Sequence, residues 1–259
     1  MTGVQTCALP IFHDKVKLFF VLVIVVLPVI QVVQVWIVCH NLGLGFYSPP
    51  YATFVALPGV AHHILNRVFT WFMPLYMALI FADTVIEDSQ TRLSSSEIVR
   101  IGKKSYIRTK VIGTFTMAFV LIFFSLLLNL MLCYIVFSGG KFIGMDPGDS
   151  PENFLYNISH AHPLLANIAF DLVKAFMCAL IATVGASIAL IAPNRKIVYS
   201  LTLIIWFIPI MLNKSLVLIF KPFSEYDFQY LLPIFFSVTF AFVLIIICMA
   251  FWRLKDDEA

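Results

Sequence analysis

The sequence predicts an all-α membrane protein with six transmembrane helices, and three features of the chain lead to that fold class. First, 61% of its 259 residues are hydrophobic and only 12% are charged, with a mean hydropathy of +0.96. Soluble domains are closer to half apolar and a quarter charged. Second, apolar segments of about 20 residues, the length that crosses the hydrocarbon core, recur along the chain. Third, basic residues are concentrated in alternate loops.

Six apolar segments define the predicted spans. In order, they are Leu18–Cys39, Ile64–Thr84, Val111–Phe137, Leu172–Ala192, Ile197–Leu212 and Leu231–Trp252. Five of them reach about 20 residues, whereas the fifth is shorter and contains Pro209. The polar connections are too short to fold on their own. We therefore expect residues 12–259 to form a single transmembrane domain.

The distribution of basic residues predicts the orientation. If the N-terminal flank is cytoplasmic, twelve of the 17 basic residues fall on the cytoplasmic side. This positive-inside bias predicts that both termini are cytoplasmic and that the number of crossings is even. The net charge of +3 is too small to indicate a nucleic-acid partner. We expect a multi-pass protein of the inner or plasma membrane of a bacterium.

The most informative polar stretch joins the second and third spans, over residues 81–113. Ser94 and Glu97 have the spacing of a capping box, in which each side chain accepts a backbone N–H of the other residue. This pattern predicts a short helix from about Ser95 to Gly102, where glycine can end it in a left-handed turn. Two interpretations stay open: an ordinary basic inner loop, or a helix that docks a cytoplasmic partner.

This stretch resembles the ABC-2 type permeases, the six-span membrane subunits of ABC exporters. The resemblance rests on the acidic residues after the second span, the short helix, and the basic-aromatic-basic entry to the third span at Tyr106, Arg108 and Lys110. Two departures concern the subfamily. Gln90-Thr91 stands where Gly-Thr is commoner, and the proline that often precedes the basic segment is missing.

The resemblance implies that this loop is the coupling helix that receives a separate ATPase subunit. ATP and Mg would then belong to that partner, with no cofactor on this chain, and a second permease subunit would complete a homodimer or heterodimer. The cargo would be amphipathic or lipophilic, with a drug or antimicrobial peptide as the guess. The coupling residues would be Glu87, Asp88, Ser94, Glu97, Arg100, Lys103, Lys104, Tyr106 and Arg108.

The end of the fifth span predicts a break in the helix. Asn213-Lys214-Ser215 interrupts the apolar run, and a straight helix would place Lys214 inside the bilayer at a cost of about 2.5–3.5 kcal/mol near its centre. The ABC-2 resemblance implies a short outer segment that re-enters the membrane here, and Leu216–Phe220 fits it. The alternative is a long tilted helix whose Lys214 reaches the outer interface.

Three ionisable residues near the spans are candidates for a translocation path: Asp83, Asp171 and Lys174. Asp83 lies at the inner end of the second span. Asp171 and Lys174 lie three residues apart near the outer end of the fourth, where they are close enough to pair. The alternative is a structural ion pair at the interface.

Other chemistries find little support in the sequence. No GxxxxGK[ST] phosphate loop is present, and neither the histidines nor the cysteines have metal-ligand spacing. A secondary transporter stays open as an alternative, although the spans offer little charge. Glu87-Asp88 with Arg92, together with His62 and Asn66, resembles the motifs of CAAX-type intramembrane proteases. Since the two halves of that pattern are expected on opposite sides of the membrane, we expect no enzymatic activity.

Residues 1–11, MTGVQTCALPI, do not resemble the rest of the chain. They have no basic n-region followed by an apolar core, so they do not form a signal peptide. They match the translation of a widely used sequencing-library adapter. We therefore expect these residues to be non-native, the genuine chain to start at about Phe12, and the native N-terminus to be missing.

Overall fold

A computed structural model describes residues 14–41, 45–56, 64–141, 153–223 and 226–255. The adapter-like residues 1–11 and His62 lie outside this set. Within it the protein is helical, as predicted. The helices are α1 (Lys15–Asn41), α2 (Ile64–Gln90), α3 (Leu93–Ile101), α4 (Lys103–Val136), α5 (Phe154–Ala161), α6 (Pro163–Ile191), α7 (Arg195–Met211) and α8 (Phe228–Lys255), with short 3₁₀ helices at Pro49–Tyr51 and Leu216–Phe220.

In the described ranges, five helices are long and apolar enough to cross a membrane: α1, α2, α4, α6 and α8. The predicted fifth span corresponds to α7, whose 17 residues extend about 26 Å, slightly less than the hydrocarbon thickness of about 30 Å. The predicted break after it is confirmed, because α7 ends at Met211 and the chain resumes as the 3₁₀ helix Leu216–Phe220.

Two helices extend well beyond their apolar segments. α4 begins at Lys103, eight residues before the predicted Val111, and α6 begins at Pro163, nine before Leu172. The two added turns of α4 are stabilised by packing, since Tyr106 and Ile107 are buried in the main core. The start of α6 has proline in its first turn, where the missing N–H costs nothing.

The helix α6 occupies the centre of the bundle and is buried along most of its length, between α2, α4 and α8. The helices α4 and α8 pack against α6, and α1 packs against α4 and α2. All three direct large apolar side chains outward; Phe124 on α4 and Phe240 on α8 are examples. This arrangement suits a hydrocarbon environment, where outward apolar side chains carry no penalty. It makes α6 the helix whose polar residues are the most enclosed.

Two prolines create hydrogen bonds between helices. Proline leaves the carbonyl four residues earlier without its helical N–H donor. Pro28 in α1 frees the carbonyl of Ile24, which accepts from Ser125 Oγ at 2.8 Å. Pro74 in α2 frees the carbonyl of Thr70, which accepts from Trp206 Nε1 at 2.9 Å. The prolines therefore fix α1 to α4 and α2 to α7 in an apolar medium, where an unpaired carbonyl is costly.

The bundle has two chemically distinct ends. The basal end contains the C-terminus of α2, the short helix α3, the N-termini of α4 and α7, and the C-terminus of α8. Lys103 Nζ donates to the carbonyl of Leu254 at this end, at 3.3 Å. At the distal end, Tyr51, His160 and Phe223 pack together, with the rings of Tyr51 and Phe223 4.6 Å apart. Most of the predicted coupling residues lie at the basal end.

Candidate functional site

The basal end holds a network of ion pairs that joins three helices. The ammonium of Lys17 on α1 is 1% exposed and donates to Glu87 on α2. Arg195 on α7 donates two hydrogen bonds to Asp83, from Nε to Oδ1 at 2.6 Å and from Nη2 to Oδ2 at 3.2 Å. Its Nη2 also lies 3.3 Å from Glu87 Oε1, and Tyr199 donates to Asp83 Oδ1 at 2.9 Å. Such bidentate, charge-assisted bonds are the strong ones.

Local structure explains why these side chains meet. A π-helical turn at Ala78–Ala82 interrupts α2 immediately before Asp83, and such a turn adds a residue and rotates the helical face after it. Asp83 and Glu87 are four residues apart and therefore share a face of α2. Arg195 starts α7 directly after Asn194, whose Oδ1 caps the helix by accepting from the N–H of Lys196 at 3.0 Å. The cap orients the first turn of α7 toward α2.

Three carboxylates of this network are close enough to suggest a cation site. Oxygens of Asp14, Asp83 and Glu87 lie within 4.8 Å of one another. However, the ammonium of Lys17 contacts all three, at 3.8 Å from Asp14 and 3.9 Å from Asp83 besides its bond to Glu87. It occupies the position that a metal ion would take. Together with Arg195, which pairs with Asp83 and Glu87, it supplies two positive charges to the three carboxylates from within the chain.

A second ion-pair group anchors α3. Lys110 on α4 is 3% exposed, and its ammonium lies 2.7 Å from Asp88 Oδ2 on α2 and 3.7 Å from Glu97 Oε2 on α3. The same ammonium is 5.5 Å from the ring centre of Tyr106. One buried lysine thus holds together the end of α2, the start of α4 and the short helix between them.

The predicted capping box of α3 is wrong in its details. The helix begins at Leu93, and its N-cap is Arg92, which adopts the left-handed conformation at φ +59° and makes no capping bond through its side chain. Ser94 lies inside the first turn, and Glu97 turns toward Lys110 instead of back to Ser94. The predicted end is confirmed, because Gly102 follows the helix with φ +82°.

The exposed surface of α3 carries apolar and basic side chains. No residue of α3 is buried, and Val99 is 89% exposed, with Leu93 and Ile101 about half exposed. Arg100 of α3 is exposed, and so are Lys104 and Arg108 in the first turns of α4. Tyr106, which was predicted among the coupling residues, is instead buried in the main core and does not contribute to the exposed surface.

The two candidate path residues of the fourth span lie deep in the bundle. Lys174 is eleven residues, or about 17 Å, from the start of α6 and is 1% exposed. Its ammonium donates to Asn66 Oδ1 at 2.7 Å and lies 4.8 to 5.8 Å from the ring centres of Phe54, Phe69 and Phe220. An amide oxygen and three aromatic faces solvate it in place of water.

The expected pairing of Asp171 with Lys174 is wrong. Asp171 is also 1% exposed, but in the described part of the chain no ion pair reaches it and its Oδ1 has no hydrogen-bond donor. The prediction failed because α6 starts earlier than its apolar segment indicates. Both side chains therefore lie within the bundle, where Asn66 competes for the ammonium. Asp83, the third candidate, belongs to the basal network.

Comparison with known proteins identifies a relative. The chain is 31% identical over 249 residues to a protein of Bacillus subtilis (strain 168) described as "Uncharacterized protein YybM", and the match covers 96% of this chain and 97% of the relative. This chain belongs to the YybM family. No family model and no solved structure matches it.

In this member of the YybM family, the two halves of the protease-like pattern do not meet. Asn66 and Glu87 belong to the same continuous helix, α2, and are separated along it by about 32 Å. Glu87 and Asp88 are engaged by Lys17 and Lys110, while Asn66 accepts from Lys174. This geometry does not form a shared catalytic centre among the described residues.

Sequence reasoning missed three participants at the base, Lys17, Arg195 and Tyr199, and it considered Asn66 only as part of the protease-like pattern, not as the partner of Lys174. The two basic residues were interpreted only as orientation signals. The sequence did hold a signal for the basal residues, because these acidic and basic side chains all lie at helix ends that the predicted topology brings to the same side of the membrane. Asn66 carried no such signal, because its importance depends on a partner 108 residues away.

Proposed function

We propose that this chain is the membrane subunit of an ABC-2 type exporter. It would cross the membrane six times, with α7 as the fifth span, Leu216–Phe220 re-entering from the outer side, and both termini in the cytoplasm. The basal end would then face the cytoplasm, in agreement with its basic residues. A separate ATPase subunit would supply ATP and Mg, and a second permease copy or a related chain would complete the transporter.

The exposed surface of α3 is the observation that carries this proposal. Three aliphatic residues of this short helix, Leu93, Val99 and Ile101, are 53%, 89% and 45% exposed, on different sides of the helix, so a partner that covers α3 would bury them. The flanking Arg100 and Lys104 add positive charge. Apolar anchors surrounded by charge are typical of a docking surface for another protein. Here the partner would be an ATPase with an acidic rim around an apolar cleft.

The ion pairs explain how a push on α3 would reach the membrane. Glu97 and Asp88 share the ammonium of Lys110, so this lysine links α3 to α4 and to the end of α2. Glu87, one residue before Asp88, is held by Lys17 of α1 and Arg195 of α7. Closure of the ATPase subunits would therefore tilt four helices together and shift the cargo path from inward-open to outward-open.

Affinity purification in mild detergent tests this proposal. The wild-type chain, expressed in its own host, should co-purify with a chain that hydrolyses ATP in the presence of Mg. The variant Arg100→Glu/Lys104→Glu should lose most of that activity, since both side chains are exposed and its fold should be intact. Lys214→Glu, an exposed lysine near the distal end of α7, is the matched control and should retain it. Wild-type protein without ATPase activity would contradict the proposal.

A second candidate function, a secondary transporter, is favoured by one observation: the buried Asp171 and Lys174. Such groups inside a membrane bundle mark ion or proton pathways in many transporters. The sequence alone suggested that the spans hold little charge, and the burial of these two residues corrects that expectation.

Proteoliposomes distinguish the two functions. A secondary transporter would move a fluorescent lipophilic cation when a pH gradient is imposed without ATP, and Asp171→Asn would abolish the movement. The exporter proposal expects no gradient-driven movement from this chain alone.

A further inference from the structure

An apolar groove of about 410 Å³ lies on the membrane-facing side of the bundle, toward the distal end. Its walls come from α5, α6 and α8. Ala166, Ala169 and Val173 form the floor along one face of α6, while Ile158 of α5 and Leu231 and Phe235 of α8 form the sides. The small side chains of the two alanines create the depth, because neighbouring positions on α8 carry large residues.

The length of the groove corresponds to one leaflet. Its lining residues run from His162, the N-cap of α6, to Val173 on that helix, a span of eleven residues or about 17 Å at 1.5 Å per residue. Half of a hydrocarbon core is about 15 Å. The groove is therefore about as long as the aliphatic chain of a lipid in one leaflet.

The surroundings and the two ends of the groove define the occupant. Leu165, Leu232 and Phe236 are 64%, 44% and 62% exposed beside it, so in a bilayer the groove opens into hydrocarbon. Polar groups occur only at its outer end, where His162 lies at the mouth and Ser159 lines the wall. Ser159 is 1% exposed, and its hydroxyl has no partner in the part of the chain that the structure describes. Its O–H is therefore available to donate to an ester or phosphate oxygen of a lipid in the groove.

We propose that this groove binds one acyl chain of a phospholipid from the distal leaflet, with the ester or headgroup oxygens at Ser159 and His162. The lipid is held more tightly than the surrounding lipid, because the groove contacts the chain on three sides and the hydroxyl gains a partner. The site is separate from the basal network and does not depend on which transport mechanism the chain uses.

Photolabelling in nanodiscs tests the site. The full chain is incorporated with a phosphatidylglycerol probe that carries a diazirine near the chain end, and labelled residues are mapped by mass spectrometry. Labels should concentrate at Val173 and Phe235, and excess unlabelled phosphatidylglycerol should compete them away. A probe with the diazirine near the ester should label residues close to His162.

Two variants and one control sharpen the test. Ala169→Trp places an indole across the groove and should reduce labelling at least about 5-fold, and the milder Ala169→Leu should reduce it less. Ser159→Ala should weaken competition by roughly 2- to 10-fold, the range expected for one hydrogen bond. Ala241→Trp, an exposed position on α8 away from the groove, should label like the wild type.

The outcomes separate lipid from other occupants. Labels spread evenly over all lipid-facing helices, or unchanged by Ala169→Trp, would show only bulk lipid contact and overturn the proposal. Labelling that appears in the monomer but is lost in a dimer would assign the groove to a second copy of the chain, which would also overturn it.

Discussion

Replacement of Lys110 by methionine is the sharpest test of the basal architecture. The substitution keeps an unbranched side chain, one atom shorter, but removes the ammonium that lies 2.7 Å from Asp88 and 3.7 Å from Glu97. The side chain of Asp88 is only 12% exposed, so its carboxylate would be left buried without compensation. Breaking a buried pair on one side costs about 3–5 kcal/mol. The bond to Glu97 adds little, because that side chain is 33% exposed and screened.

The loss should be visible as thermal destabilisation. With about 2–4 °C per kcal/mol for a chain of this size, the low end of the range, about 3 kcal/mol, lowers Tm by roughly 6–12 °C. Thermal unfolding of detergent-solubilised protein, followed by size-exclusion chromatography, measures the shift. The control is Lys104→Met, an exposed lysine six residues earlier, which should change Tm by less than about 2 °C.

A double variant tests the physical cause. Lys110→Met/Asp88→Asn removes the charge that the first substitution leaves unpaired, so it should recover at least half of the lost stability. A double variant no more stable than Lys110→Met would refute the reasoning. An equal loss in Lys104→Met would refute it as well, because it would show a general effect of reduced charge.

Three further predictions concern other parts of the fold. Trp206→Phe should destabilise the protein by about 1–3 kcal/mol, because it leaves the carbonyl of Thr70 unpaired. Adding Pro74→Ala should restore stability, since the backbone N–H of residue 74 can then donate to that carbonyl within α2. Burial lowers the pKa of His160 below its usual value, so the unfolded chain takes up the proton first as the pH falls. The stability of the wild type should therefore decline more between pH 7 and pH 5 than the stability of His160→Gln. Thermal scans across that pH range measure this difference. Gly102→Ala should cost about 1–3 kcal/mol through backbone strain alone, because its φ is +82° and nothing lies within 4 Å of an added Cβ; the same thermal scan and ATPase co-purification would show reduced Tm and weaker docking.

Local composition predicts much of this fold. The apolar segments and the break at Asn213-Lys214-Ser215 depend on nearby residues, and the structure contains five candidate spans and that break. The end of α3 at Gly102 is likewise a local property, because only glycine adopts that backbone conformation without strain. These features could be predicted because the physics that produces them acts over a few residues.

The remainder depends on partners distant in sequence. Hydropathy does not predict that α4 starts at Lys103, because Tyr106 and Ile107 are stabilised by the core of the bundle rather than by lipid. Glu97 was expected to cap its own helix, but Lys110 offers it a charged partner. Lys17 and Glu87 are 70 residues apart, and no local pattern connects them. The candidate site is thus assembled by tertiary contacts that a single sequence does not specify.

Because α4 is unusually long, a small rotation of this helix produces a large displacement at its basal end. Its 34 residues extend about 51 Å, against a hydrocarbon core of about 30 Å, so roughly 20 Å of rigid helix is available to project beyond the membrane. A rotation of only about 5° around the distal end would move Gly102 by roughly 4 Å. Such a displacement is close to a full helical turn of 5.4 Å, the scale at which packed helices exchange one set of contacts for another. Since α3 directly precedes this end and Lys110 links the two helices, a small angular change inside the bilayer would correspond to a displacement of several ångströms at the proposed docking helix.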